Sequence, residues 1–147
     1  MDVTDRVYTA GMTDDEVDDR LRETATGVLA LSRADDAYAI PVSFAYDGEV
    51  IRFRLGDDGD SRKLAFAETT AEACFVVHGV EDERDSWSVV ATGPLRRLSA
   101  EEWEAANPAD IDEAYPPLRV FDEAIEETEL VGYELQIESL TGRRTAE

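Results

Sequence analysis

The run from Tyr38 to Leu55 alternates with period two on both sides of an Asp47-Gly48 pair, and this dictates an antiparallel hairpin. On the outgoing side Tyr38, Ile40, Val42, Phe44 and Tyr46 share one parity, while Ala39, Pro41, Ser43 and Ala45 share the other. That second face is small rather than charged, so something must pack close to it. Pro41 cannot donate to a ladder, which places an edge, a bulge or a ligand-facing break in mid-strand. On the return side Ile51, Phe53 and Leu55 point to the core, and Arg52 and Arg54 project from the opposite face.

The rest of the chain reads in the same short-strand idiom. Residues 1–12 have the look of an extended arm. Thr13-Asp-Asp-Glu16 has the form of a capping box opening a helix over 13–25, with Val17 and Leu21 on one face. Gly27 to Ser32 reads as a buried strand. Ser61 caps a short helix through Ala67, and Glu72 to Val80 is a strand. Ser86 to Leu98 is a long strand broken at Gly93-Pro94. Ser99-Ala-Glu-Glu102 is a second capping box, with Trp103 behind it and a stop near Asn107-Pro108. Pro116-Pro117 precedes an expected helix over Leu118–Glu127. Leu130 to Leu140 gives a final strand, leaving Arg143-Arg144 in a polar tail. Strands in hairpin order with only short helices between them predict a mainly β, antiparallel barrel in one domain over residues 1–147. The βαβ rhythm and glycine-rich fingerprint of a dinucleotide-binding sheet are missing.

Charge limits the partners. The 147 residues carry 35 acidic side chains against 14 basic ones, a net charge of −21 spread along the whole length. Such self-repulsion destabilises a compact state at ordinary ionic strength. It fades at molar salt, where the screening length is about 3 Å, so a chain adapted to a salt-rich cytoplasm is expected. Nucleic acid is an improbable partner without a continuous basic stripe. No apolar run reaches the roughly 18 residues of a membrane span, and the polar, acidic start does not resemble a secretory signal. One cysteine and one histidine offer neither a disulfide nor a credible structural zinc site. A cytoplasmic location is the expectation.

Against that background Arg52, Arg54, Arg62 and Lys63, the sole lysine, form a local cationic group. Arginine forks and a lysine point charge suit a phosphate monoester, and a helix opening near Ser61 adds free N–H groups. The plainer reading is that Arg52 and Arg54 pair with the abundant surface carboxylates. Trp87 reads as core or interface, His78 as structural, and Cys74 as a small core residue.

In their order and spacing, Gly27-Val-Leu-Ala-Leu31, Ile40-Pro-Val-Ser-Phe44, Tyr46-Asp-Gly48, Ser61-Arg-Lys63 and Trp87-Ser-Val-Val90 before Gly93 resemble the pyridoxamine 5'-phosphate oxidase-like flavin-binding split barrels. The resemblance is closest to the small branch that includes nitroimidazole-resistance-type proteins. It implies a six-stranded antiparallel split β-barrel holding flavin mononucleotide (FMN) at the interface of a homodimer. It also implies that Ile40, Pro41, Val42 and Ser43 lie along the ring, and that Arg54 and Leu55 sit near the ribityl phosphate. Arg62 and Lys63 would bind the phosphate, and Ser88 would reach the flavin from a neighbouring strand.

The final strand, Leu130 to Glu138, lacks the basic and histidine set with which authentic members hold a vitamin B6 phosphate, so that substrate is not expected. What the resemblance implies is a flavin-dependent oxidoreductase acting on an unspecified small molecule. The alternatives are a deazaflavin-dependent reductase on the same fold, a flavin carrier or sensor without turnover, and a haem-binding member. The last is weakened by His78 being the sole histidine.

Overall fold

The structure is a computed structural model and describes residues 8–57, 62–82, 85–105 and 129–146. Its first helix, α1 (Asp14–Glu23), begins as the sequence dictates. The Thr13 hydroxyl accepts from the Glu16 amide, and the Glu16 carboxylate accepts from the Thr13 amide, each at 3.2 Å. Acids fill its first turn and Arg20 and Arg22 its last, complementing the helix dipole. Val17 and Leu21, one turn apart, are buried.

Ten strands are present among the described residues: β1 (Tyr8–Gly11), β2 (Thr26–Arg33), β3 (Asp36–Ser43), β4 (Ala45–Tyr46), β5 (Val50–Asp57), β6 (Ala73–Asp82), β7 (Asp85–Gly93), β8 (Leu95–Arg97), β9 (Glu129–Gln136) and β10 (Ser139–Ala146). They form two antiparallel sheets. One has six strands in the order β1-β10-β7-β6-β2-β3, and the other has four in the order β4-β5-β9-β8. The mainly β, antiparallel expectation holds, but the described strands form two sheets rather than one closed six-stranded cylinder. Two further helices, α2 (Arg62–Thr69) and α3 (Ala100–Ala105), follow β5 and β8.

The chain changes sheet four times, once through the connection that holds α2 and three times by passing directly from one strand to the next. The run read as one strand from Tyr38 to Tyr46 breaks at Phe44, which is buried and meets Phe75 edge-on at 4.8 Å. Upstream, β3 pairs with β2; downstream, β4 pairs with β5. The hairpin that follows is the expected one. Asp47 Oδ1 accepts from the amides of Glu49 and Val50 at 2.9 and 3.0 Å, and Gly48 takes φ +99°.

Of the direct crossings, the second is Gly93-Pro94 and the third is Ile137-Glu138, and the two lie against each other. The Gln136 amide donates to Pro94 O at 3.0 Å and the Glu138 amide to Thr92 O at 2.8 Å. A Cβ on Gly93 would stand 1.8 Å from the backbone oxygen of Gln136. The third crossing corrects the reading of the C-terminus: Leu130 to Leu140 is not one strand, and Arg143-Arg144 are not in a tail. They lie on β10, which joins the six-stranded sheet between β7 and β1.

The inner faces of the two sheets close on one core. Leu29, Leu31, Phe75, Val77, Val89 and Ala91 meet Ile51, Phe53, Leu55, Val131, Tyr133 and Leu135. Phe66 and Ala67 of α2 and the two buried residues of α1 complete it. The expected helix over 118–127, the Pro116-Pro117 boundary, the stop near Asn107-Pro108 and the Ser61 cap lie outside the described residues.

Candidate functional site

The predicted ring floor, Ile40 to Ser43, lies on β3, the outermost strand of the six-stranded sheet. Its ladder partner is β2, so its other edge has no neighbouring strand in this sheet among the described residues. The side chains divide as the alternation required. Val42 is buried and Ile40 packs on the core, whereas Ala37, Ala39 and Pro41 are exposed and small.

Beside this strand stands α2, whose first two residues are the predicted phosphate ligands Arg62 and Lys63. Strand and helix are joined by aromatic packing: Tyr38 stacks on Phe66 with ring centroids 5.4 Å apart. The Arg62 guanidinium lies over both rings, 5.7 and 5.4 Å from their centroids. This cation–π seat fixes where the charge stands without neutralising it.

Arg54 and Leu55 are on β5 in the other sheet. Leu55 is a core residue, so only its backbone is placed to meet a ligand. Arg54 sits opposite Gly132 of β9. Ser88 is on β7, paired with His78 on one side and Arg143 on the other. Strands β6 and β2 separate it from β3, which at about 4.8 Å per strand puts it roughly 14 Å away within one chain. The structure therefore sets Arg62 against Tyr38, two residues before Ile40 on the same strand, with Lys63 next to Arg62 on α2, and leaves Ser88 on a strand further across the sheet.

Arg52 takes the plainer of its two roles. It donates to Asp47 at 2.7 Å and to Glu134 at 3.3 Å, and Glu134 also receives Arg96 at 3.3 Å, while Arg96 reaches Glu102 at 2.5 Å. Glu134 is only 7% exposed, so two guanidiniums surround the buried carboxylate. This alternating chain of five charges runs across the outer face of the four-stranded sheet, from the hairpin to α3. Arg96 holds the Glu102 carboxyl below its usual range, helped by the Ser99 amide. Asp47 is also held low: burial pushes it up, but the Val50 and Glu49 amides and Arg52 outweigh that.

Two clefts flank Arg97, a residue the sequence did not single out. The larger, about 410 Å³, lies between β9, β8 and α3 and is lined by Arg54, Arg97, Leu98, Ser99, Ala100, Trp103, Glu104, Val131 and Gly132. The smaller, about 370 Å³, lies along α2 and includes Arg33, Glu68 and Arg97. Arg97 donates to Glu68 at 2.6 Å. Trp103 packs where a Gly132 side chain would be, 2.4 Å from an ideal Cβ. The available signal was Arg97 two residues before a capping box with a tryptophan in its helix.

The family model described as pyridoxamine 5'-phosphate oxidase matches residues 13–144, nearly the whole chain. The chain belongs to this family. No curated protein matches the sequence. Solved structures of similar fold include an FAD-binding protein from Mesorhizobium loti, 17% identical over 94% of this chain and 99% of that one, with a TM-score of 0.71. An FAD-binding protein from Mycobacterium smegmatis is 19% identical over 92% and 98%, with a TM-score of 0.66. A Bacteroides thetaiotaomicron protein described as a candidate 5-nitroimidazole antibiotic resistance protein is 13% identical over 97% and 93%, with a TM-score of 0.70. At these identities the likeness establishes the fold of the family and no more. Among the described residues no helix is long and apolar enough to cross a membrane, and no group of histidine, cysteine and carboxylate residues could hold a metal.

Proposed function

We propose that this family member is a flavin-nucleotide-binding protein in which FMN, or the FMN half of a larger flavin, lies along the open edge of β3. The observation that carries the reading is the β3–α2 junction, where an outer strand edge and a small-residue face adjoin Arg62, seated on Tyr38 and Phe66, with Lys63 next to it on α2. The edge amides and carbonyls of Ile40–Ser43 suit the polar rim of an isoalloxazine, and Arg62 and Lys63 suit its phosphate. Arg54 and the Leu55 backbone stand on the neighbouring sheet toward the ribityl chain. The bound flavin would supply hydride transfer, so the protein's part is to bind, orient and exclude water. A flavin-dependent oxidoreductase acting on a small molecule is the activity this arrangement serves.

The partner we propose is a second copy. On the outer face of the six-stranded sheet, Pro41, Val28, Val76 and Val90 form one cross-strand row, and Ala39, Ala30, Cys74 and Thr92 form the next. Neither row carries a carboxylate, in a chain where 35 of 147 residues are acidic. An uncharged, self-complementary face is what a two-fold interface requires. In such a dimer Ser88 reaches the flavin of its partner, which reconciles its distance from β3 with its expected role.

The test is the visible spectrum and flavin affinity of protein purified in molar potassium chloride. Arg62→Ala with Lys63→Ala should weaken FMN at least tenfold. A charge-assisted hydrogen bond contributes about 1.5–3 kcal/mol, and about 1.4 kcal/mol is tenfold. Colourless protein that takes up no flavin sinks the reading. Flavin that binds but is reduced by no donor would favour a carrier. Light scattering tests the dimer, and a monomer with bound flavin removes the second copy.

A further inference from the structure

The last strand carries an arginine that this acidic chain does not neutralise. Arg143 donates to the Thr9 hydroxyl and to the Thr9 carbonyl, both at 2.9 Å. Both acceptors are uncharged, and among the described residues no carboxylate pairs with Arg143, although 35 of the 147 residues are acidic. Its neighbour Arg144, on the opposite face of β10, is paired with Glu16 of α1 at 2.8 Å. Arg143 instead stands opposite Ser88, on the outer face of the six-stranded sheet, while Val89 beside Ser88 is buried in the core.

Arg143 belongs to a cross-strand row. Ser88 separates it from His78, and on the far side of the sheet Thr26 pairs with Ser43. Val28 is opposite Val76, so two residues further along these antiparallel strands Thr26 comes level with His78. The row therefore runs Ser43, Thr26, His78, Ser88, Arg143, without a carboxylate, and Arg143 is its permanent charge.

We propose that Arg143 completes the flavin site of the partner copy, setting a fixed positive charge beside the ring. The inference rests on the flavin and dimer readings above, and its geometry follows from them. Where two outer sheet faces meet across a two-fold axis running along the strands, strand order reverses between copies and each row keeps its level. For Ser88 to reach a flavin on the partner copy's outer β3 edge, that β3 must lie over β6. The cofactor then covers β7, and β10 is the next strand in the same direction. One spacing of about 4.8 Å is within the width of a three-ring system. Level along the strand selects the part of the cofactor that Arg143 meets. Tyr38, against which Arg62 is seated, is five residues from Ser43, about 17 Å of strand. The phosphate lies toward Tyr38, so the row of Ser43 and Arg143 faces the ring. A positive charge there favours reduced flavin, the more negatively charged form. Thr9 acts as a positioning residue, because its two acceptors hold the guanidinium in place.

The test compares FMN-loaded wild type with Arg143→Gln in molar potassium chloride, by dye-equilibrated reduction and light scattering. The variant's preference for reduced over oxidised FMN should fall at least tenfold, which moves the midpoint potential about 30 mV more negative. Arg143→Lys keeps the charge and should recover most of that shift, which separates charge from folding. A hybrid dimer reads the partner copy's share. One chain carries Arg62→Ala and Lys63→Ala with Arg143 intact, and the other carries Arg143→Gln with Arg62 and Lys63 intact. Its single competent site joins an intact phosphate seat to the other copy's Arg143, and should show the wild-type potential.

An unchanged potential in flavin-loaded Arg143→Gln overturns the proposal and leaves the flavin reading standing. So does a potential lowered as far by lysine as by glutamine. A hybrid with the lowered potential sets Arg143 beside its own chain's flavin and overturns the partner copy's contribution. Protein that takes up no flavin removes the flavin reading and this proposal together.

Discussion

Gly93→Ala places a methyl group where β7 hands the chain to β8, and its consequence follows from what the methyl meets. The new Cβ would lie 1.8 Å from Gln136 O, 2.9 Å from Gln136 C and 3.2 Å from Glu138 N, all backbone atoms. No side chain can swing aside, so the third crossing must move more than an ångström from the second. That separation breaks the Gln136–Pro94 and Glu138–Thr92 hydrogen bonds, each a net contribution of about 1 kcal/mol. Overpacking strain adds about 1–3 kcal/mol, giving a loss of roughly 3–5 kcal/mol. With an unfolding entropy of about 2.1 cal/mol/K per residue, a chain of this length shifts about 3 °C per kcal/mol, so the midpoint should fall by roughly 10–15 °C. The assay is a circular dichroism melt in molar salt, with Gly11→Ala as the control because nothing lies within 4 Å of its added Cβ. A Gly93→Ala protein melting within about 3 °C of wild type would refute the argument that the two crossings lock each other.

Three further outcomes are expected. Asp47 is depressed in the folded state, so its contribution to stability is present above its unfolded value and lost as pH falls through the lower folded value. The urea-midpoint difference between wild type and Asp47→Asn should therefore be full at neutral pH and shrink below about pH 4; a pH-independent difference contradicts the Asp47–Arg52 assignment. Raising potassium chloride from millimolar to molar should raise the melting temperature by several degrees through screening of the −21 charge, and a flat response would remove the salt-adapted reading. Burial, and secondarily the Glu72 charge, push the Cys74 thiol up, so it should react more slowly than free cysteine with a disulfide reagent at mildly alkaline pH; reaction at the free-thiol rate disproves that burial.

The parts of this fold that were legible in sequence are those set by local chemistry. The Thr13–Glu16 box, the Asp47-Gly48 turn and the parity of Ile51, Phe53 and Leu55 each depend on residues within a few positions. What was not legible depends on a partner distant in sequence. The β9–β10 break carries no glycine or proline at Ile137-Glu138, and the apolar alternation runs through it, because the crossing is stabilised by Thr92 and Pro94 some forty positions upstream. Arg143 looked like tail because its neighbours are polar; it is held on β10 by Val89–Thr92 pairing nearby and by Thr9, whose hydroxyl and carbonyl both accept from it at 2.9 Å. In the candidate site, Arg62 and Lys63 stood out because basic residues are scarce, 14 against 35 acidic ones, whereas the cleft around Arg97 could not be seen until β8, β9 and α3 were brought together.

The acid-free sheet face has a further meaning when the two copies are counted together. In the proposed dimer, joining them would bring twice the −21 charge of one chain into one particle, so ionic strength would act on the association itself as well as on each fold. Flavin lying across the seam would feel salt as a second ligand: dilution would part the subunits and release the cofactor before either barrel melts. In the proposed dimer the solvent's ion content would thus act on flavin binding through the association of the two copies, with no ion-binding site of its own.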